Sequence, residues 1–341
     1  MKIAIITDTH FGARKNSKYF MQVQKEFYEN TFFPYLVENN IDTVFHLGDF
    51  FDNRTSVNFA VLRHADQCFI KPIIKHGIKL HLLMGNHDSH YKSSGELVNT
   101  KLLFEDIANV KVYDAMEEIN IDGVRFLMVP WIFPDQEKQI IDQISLCPAD
   151  VCCGHFEMLG VVQEGTNISR TGLETGIFSH FSHVFSGHFH KPSEYYVGSP
   201  YQTKWSEVDD NKRIIIFDTK DMSATPIYNE NRVFYEIDYP DDIDKIDPKD
   251  YSNKMVRIHV KSKQDIAHYE LAIKSFEDAG VHNLDIKEEH LYLDVIQKYE
   301  LEDSTDTLAI LKSTINQNLD LSDGDKLVMC NLIEKLYKKA Q

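Results

Sequence analysis

Over roughly the first 220 residues, short apolar runs alternate with longer stretches of helical period. The runs "KIAIIT" (2–7), "DTVFHL" (42–47), "KLHLLM" (79–84), "ADVCC" (149–153) and "HVFS" (183–186) have the length and side-chain character of buried strands. Between the first two, residues 18–39 bring Phe20, Val23, Phe27 and Leu36 toward one face, which predicts an amphipathic helix. Strand alternating with helix predicts an α/β layered core. Parallel strands in such a core end on one edge, and the loops just past those ends share a crevice.

The residues at the ends of these runs form a second pattern. The first run ends in Asp8 and His10, the second in Gly48 and Asp49, and the third in Gly85, Asn86, His87 and Asp88. The fourth ends in Gly154 and His155, the fifth in Gly187, His188 and His190. In an extended chain positions i and i+2 project to the same side, so His188 and His190 can reach one point. Glycine before the ligand permits unusual backbone angles and close approach. Aspartate, histidine and asparagine without thiolate suit manganese, iron or zinc in a catalytic site better than a structural zinc or a calcium cage. These donors are too many for one ion; two ions about 3.5–4 Å apart, sharing a carboxylate, would use them. His46 and His81, inside the runs, read as core histidines, while His90, His180 and His183 do not fit the spacing.

Beyond residue 237 the character changes. "IDYPDDIDKIDPKDYS" (237–252) crowds acidic residues around two prolines and reads as a linker over 238–253, ending a first domain of residues 1–237. "KMVRIHV" (254–260) alternates, and residues 264–279 place Ile266, Tyr269, Ile273 and Phe276 on one helical side before Gly280. "HLYLDVI" (290–296) alternates again, which predicts a small βαβ unit over 254–300. In 301–341, Leu308, Leu311, Ile315 and Leu319 recur at helical spacing; Ser322 then caps a second helix carrying Met329, Leu332, Ile333 and Leu336. Two short amphipathic helices cannot bury both faces alone, so they either dock back on the βαβ unit or grip a partner.

Composition narrows the function classes. With 341 residues, 43% of them hydrophobic, there is room for a large domain and a smaller one. No apolar run reaches a membrane span and the start lacks a signal-peptide pattern, so no membrane partner and a cytoplasmic location are expected. Five cysteines without a CxxC spacing indicate neither a disulfide framework nor a thiolate zinc site. A net charge of −17 repels polyanions, so any nucleic acid must be held by local basic patches, metal ions or a partner. Arg54 is a candidate phosphate contact, and Tyr201 and Trp205 are candidates to stack on a base or line a DNA groove, with core packing as their alternative.

The blocks "DTH" (8–10), "GDFFD" (48–52), "GNHD" (85–88), "GH" (154–155) and "GHFH" (187–190) together resemble the signature of the calcineurin-like metallophosphoesterases. With "VGSPYQTKWSE" (197–207) the pattern is similar to the SbcD-type double-strand-break repair nucleases, in particular the nuclease subunits of phage recombination endonucleases. The resemblance implies a β-sandwich flanked by helices, with a small α+β capping domain and C-terminal helices. It implies two divalent cations, Mn2+ or alternatively Mg2+: Asp8, His10 and His190 hold one, Asn86, His155 and His188 the other, and Asp49 bridges them. His87 would be the general acid, with Asp88 orienting its ring. Asp52, where archaeal and eukaryotic relatives carry histidine, would orient His87 or His10. Also implied are 3′ to 5′ exonuclease action on duplex DNA, endonuclease action on single strands, and a homodimer. The C-terminal helices would grip an SbcC-type coiled-coil ATPase, in a bacterial or phage-infected cell, for DNA repair and recombination. A phosphatase or phosphodiesterase on a non-DNA substrate could use the same site, and a non-catalytic scaffold could share the fold.

Overall fold

The computed structural model describes residues 1–263, 265–288, 307–317 and 323–340. Its strands are β1 (Lys2–Ile6), β2 (Thr43–His46), β3 (Lys79–Leu83), β4 (Val110–Tyr113), β5 (Glu117–Ile121), β6 (Val124–Val129), β7 (Val151–His155) and β8 (Val162–Glu164). Next come β9 (Asn167–Ile168), β10 (His183–Gly187), β11 (Arg213–Asp218), β12 (Ser223–Tyr228), β13 (Phe234–Tyr239), β14 (Met255–Val260) and β15 (Asn283–Glu288). All five apolar runs are strands, but they are divided between two sheets. β1, β2 and β3 belong to a six-stranded sheet of order β12-β11-β1-β2-β3-β4, whereas β7 and β10 belong to a four-stranded sheet of order β10-β7-β6-β5.

Side-chain alternation explains how the sheets pack. Ile3 and Ile5 of β1 turn inward with Phe45, Leu47 and Leu83 and meet Phe126, Met128, Val151, Cys153 and Phe185 from the other sheet. Ala4 and Ile6, one step out of phase, join Val44, Leu80 and Leu82 beneath the helices of residues 18–38 and 59–75. On the outer face of the four-stranded sheet, Leu127, Val129, Cys152 and Val184 pack with Ile144 and Phe178. Both faces of each sheet are thus covered, which is why the runs are apolar throughout rather than alternating. The result is a β-sandwich flanked by helices, with Phe20, Val23, Phe27 and Leu36 buried as their spacing predicts.

β1 to β4 run parallel, as do β6, β7 and β10. The carboxyl ends of β1 and β2 meet those of β7 and β10 across the sandwich: His155 Nδ1 lies 2.7 Å from the Leu47 carbonyl, and Asp8 accepts from the His188 amide at 3.1 Å. The crevice expected of one sheet edge is therefore shared by two.

β13, β14 and β15 form a third sheet, in that order, with a helix at Ile266–Asp278. Val256, Ile258 and Val260 are buried and the intervening residues half-buried, matching the predicted alternation. The helix starts at Asp265, whose side chain accepts from the His268 amide, and ends before Gly280 at φ 71°. Its buried positions are Ala272 and Phe276; Ile266, expected on that side, is 63% exposed because it sits in the first turn, ahead of the contact. The expected linker is ordered: Tyr251 packs on Phe276 and Tyr235, at ring separations of 5.7 and 5.0 Å. Met1–His259 with Asp265–Lys287 form one compact unit, and Val260–Gln264 with Glu288–Gln341 form another. In the latter, helices Thr307–Gln317 and Asp323–Ala340 pack together, with Ile315 buried and Lys312 Nζ 2.6 Å from Glu334. The strand expected at 290–296, together with Leu319, Ser322 and the side chains of Leu308 and Leu336, lies outside the described residues.

Gly187 sits where the strand ends converge. A methyl group there would lie 2.2 Å from Thr7 Oγ1, 2.6 Å from the Leu47 carbonyl and 2.7 Å from His155 Nδ1. Gly187→Ala is expected to destabilise the fold by roughly 1–3 kcal/mol, as overpacking does. Urea unfolding should show the midpoint falling with the slope unchanged.

Candidate metal centre

The turns that leave these strands force non-glycine residues into left-handed backbone. Asp8, His10, Asp49 and His188 have φ of 52°, 42°, 54° and 93°. Of the glycines that precede ligands, only Gly48 has a positive φ, at 97°. The unusual angles expected of the glycines thus fall mostly on the ligands themselves, and the other glycines mainly provide room.

Two clusters result, Asp8 with His10 and His190, and Asp49 with His155 and His188. Asp49 faces both: Oδ1 is 3.4 Å from His155 Nε2 and Oδ2 is 3.7 Å from His10 Nε2. Asn86 Oδ1 is 3.0 Å from His155 Nε2 and 2.9 Å from His188 Nδ1. In the first cluster His10 Nε2 and His190 Nε2 are 3.0 Å apart, and each is about 4 Å from Asp8 Oδ1.

The donor set fits a cation. His155 Nδ1 must carry a hydrogen, because its partner at Leu47 is a carbonyl that can only accept. A neutral His155 therefore turns a lone pair toward two more acceptors, Asn86 and Asp49. His190 donates its Nδ1–H to Glu207 at 2.7 Å, which aims its own lone pair at His10. Charge balance without metal follows the same lines. Burial opposes a charge on His155, but Asp49 and Asp8 outweigh it and raise the ring to about 9, so a proton takes the place of a cation. Burial lowers His188 to about 3, helped by His155, and burial with His190 holds His10 well below the usual range, leaving both as neutral donors. Burial raises Asp8; on Asp49 it is overcome by His155, His87 and His10, which keep that carboxylate ionised.

Asp88 has a different place from the one expected. It is buried, and its carboxylate accepts from the amides of Gly85 and Asp49 at 2.8 Å and of Phe50 at 3.1 Å rather than meeting the ring of His87. It staples the loops after β2 and β3 together, and burial with the neighbouring Asp49 raises it to about 7. The ring of His87 is held by the Asp52 main chain, Nδ1 lying 2.5 Å from that carbonyl oxygen, so its Nε2 remains available. The Asp52 carboxylate is 3.5 Å from His10 Nδ1.

Tyr201 is buried; its hydroxyl bonds the Thr9 carbonyl at 2.5 Å and Gln24 at 3.1 Å, so the ring has no free face for a base. Trp205 is likewise engaged, with the Arg257 guanidinium 3.9 Å over its ring and Phe234 at 4.8 Å. For both aromatics core packing prevails over nucleic-acid contact. Arg54 is half-buried outside the residues that line the central cavity.

Two neighbours of the ligands are not among the residues expected from the sequence. Trp131 lies 5.1 Å from the ring of His188; its signal is its place just past β6, a sixth apolar run that ends at the same edge. Glu207, 3% exposed, is the one carboxylate of the block "VGSPYQTKWSE", and that is its signal.

The clusters open on a cavity of about 600 Å3 lined by His10, Asp52, His87 and His190 and by four basic residues, Arg14, Lys15, Lys191 and Lys204. Arg14 and Lys191 bond carbonyl oxygens, of Thr203 and Gly165, at 2.7 Å. Five carboxylates, Asp49, Asp52, Glu164, Glu207 and Asp210, line the cavity too, but among the described residues none of the four basic side chains is ion-paired with a carboxylate.

The protein "Exonuclease subunit 1" of Enterobacteria phage T4 is 27% identical over 350 residues, covering 100% of this chain and 99% of that protein. Among solved structures, an archaeal phosphodiesterase is 14% identical, with a TM-score of 0.35 over 67% of this chain and 100% of that one. A purple acid phosphatase from yellow lupin (Lupinus luteus) is 15% identical, with a TM-score of 0.41 over 67% of this chain and 51% of that one. The family model for calcineurin-like phosphoesterases matches residues 1–192, more than half of the 341 residues and a span that holds every member of both clusters. The chain belongs to the calcineurin-like phosphoesterase family.

Proposed function

We propose that this chain is a metal-dependent deoxyribonuclease that hydrolyses phosphodiester bonds and works as the nuclease subunit of a recombination or repair complex. The observation that carries this reading is the pair of ligand clusters opening on one cavity that also holds Arg14, Lys15, Lys191 and Lys204, which have no carboxylate partner among the described residues and are free to meet a polyanion in a chain of net charge −17. Similarity along the whole chain to an exonuclease subunit supports DNA as the substrate.

Asp8, His10, Asp49 and His190 would hold one divalent cation and Asp49, Asn86, His155 and His188 a second, Mn2+ or Mg2+. Such a pair supplies Lewis acidity toward phosphoryl oxygens and a nucleophile at neutral pH. Asp49 presents one carboxylate oxygen to each cluster, and its Oδ1 also accepts from the His87 amide at 2.8 Å, which ties the acid's loop to the ligands. With Nδ1–H committed to the Asp52 carbonyl, His87 offers Nε2 to the leaving sugar oxygen as general acid. Arg14, Lys15, Lys191 and Lys204 hold the flanking phosphates, positioning the strand without reading its sequence.

The finer features, 3′ to 5′ exonuclease action on duplex ends, endonuclease action on single strands and a homodimer, come from the family resemblance. So does docking of an SbcC-type ATPase on the terminal helices. Leu327, Val328 and Leu332 on the last helix, 65%, 66% and 54% exposed, suit such a partner.

With Mn2+, the chain should cut end-labelled duplex and single-stranded DNA, a chelator should abolish this, and a simple phosphomonoester should be a poor substrate; the reverse preference would identify a phosphatase. His87→Asn should fold and bind Mn2+ like the wild type in calorimetry while kcat on DNA drops by about 10²–10⁴. A rate close to wild type would remove the general-acid assignment. Deletion of residues 304–341 should leave a folded chain that no longer retains the ATPase in a pull-down; undiminished retention would place the partner surface elsewhere.

A further inference from the structure

The histidines at the two cation positions are braced by different means. His155 is oriented by a neutral backbone carbonyl, that of Leu47. His190 is oriented by a buried charge. Glu207 accepts from His190 Nδ1 through Oε1 at 2.7 Å and from the Thr203 amide through Oε2 at 2.6 Å. Lys212, itself 3% exposed, stands 3.5 Å from Glu207 Oε2 and 3.1 Å from Asp210. Its ammonium also donates to the His190 carbonyl at 2.9 Å and to Ser199 at 3.0 Å. The carboxylate thus grips the ring of His190 and the ammonium grips its main chain. Gln202 anchors the turn that bears Glu207, donating to the Glu207 carbonyl and accepting from the amides of Val233 and Phe234.

A buried ion pair of this kind is a weak source of stability, because desolvation offsets the attraction. A carboxylate behind a ligating imidazole has a second effect. It fixes the tautomer and makes the far nitrogen a stronger donor. Glu207 and Lys212 both lie beyond the matched residues 1–192, so the brace is supplied by the segment after the family's shared core.

We propose that Glu207, clamped by Lys212, is a positioning residue that commits His190 Nε2 to the cation position of Asp8 and His10, so that this position depends on Glu207 and the one at Asn86, His155 and His188 does not. The proposal rests on the two-cation reading of the proposed function.

The test is a Mn2+ titration of the metal-stripped full-length chain, followed by calorimetry and by electron paramagnetic resonance. The wild type should take up two equivalents and give the spectrum of an exchange-coupled pair. Glu207→Gln should weaken one equivalent by about 10- to 100-fold, the usual effect of removing such a partner. At concentrations that fill the wild type it should show a single isolated Mn2+ signal. In a His190→Ala background the same substitution should change nothing further, because its effect runs through that ring. If Glu207→Gln does not fold, Glu207→Asp keeps the charge for Lys212 but falls one methylene short of His190, and should lose the same equivalent. Two equivalents of unchanged affinity in a folded Glu207 variant, or equal weakening of both, would overturn the proposal while leaving two cations in place. Fewer than two equivalents in the wild type would overturn both.

Discussion

Two carboxylates removed from water, Asp8 at 0% and Asp49 at 2% exposure, raise the free energy of the pocket unless positive charge and hydrogen bonds surround them. Most of what is distinctive in this molecule meets that demand. Asp8 accepts from Thr7 and from the His188 amide, Asp49 from the His87 amide, and a third buried carboxylate, Asp88, from three amides of the loops beside it. Apart from the bonds from Thr7 and Gly85, each of these joins loops from different strands. The carboxylates that call for a cation therefore also set the register of the loops that would hold it, and geometry and electrostatics are not separable here.

The same coupling accounts for the strained backbone. Non-glycine residues in left-handed conformation cost of the order of 1–3 kcal/mol each and persist where the surroundings over-determine them. Four candidate ligands are in that state, and each comes after a strand buried in the sandwich, where close packing leaves no slack for relaxation. A floppier support would let Asp8 or Asp49 relax and the clusters would open. The interleaved core of Ile3, Ile5, Phe45, Met128 and Cys153 thus holds the two clusters together without being part of them.

The strands and the side chains that cluster beyond them were legible in the sequence because both are local signals: a short apolar run marks a buried strand, and the residue types just beyond it are those a metal site would need. Long-range pairing is not encoded that way. Nothing near "ADVCC" or "HVFS" indicates that β7 and β10 pair with each other rather than with β3, and nothing in "RIIIFD" reveals that β11 lies beside β1. Residues whose roles depend on such pairing are the ones the local pattern misassigns or leaves unmarked. Asp88 adjoins His87 in sequence, yet its carboxylate turns to amides 38 and 39 residues away. Tyr201 resembles a stacking residue until the helix at 18–27 covers it, and Glu207 acquires a purpose only when the turn of 203–207 is folded against His190. The acidic stretch near 240 reads as a linker because composition reports exposure, and an ordered segment can be exposed on one side while Tyr251 packs on the other.

Charge distribution sets how such a site meets its substrate. At physiological salt the Debye length is about 8 Å, so a phosphate inside the cavity responds to the groups that line it, Arg14, Lys15, Lys191 and Lys204 against Asp52, Glu164 and Asp210, while the net −17 acts on the whole duplex farther out. On the proposed function, cations at the two clusters would favour a strand already bound there, while the net charge disfavours arrival. A chain that would bind phosphates at its cations but does not attract DNA from a distance is suited to receive it from something else. On the proposed function, that division assigns encounter to a partner with its own positive surface and leaves to this chain the positioning of a bond for cleavage. An acidic exterior then also limits adventitious cutting, because DNA not delivered to the cavity is repelled before it reaches the rim.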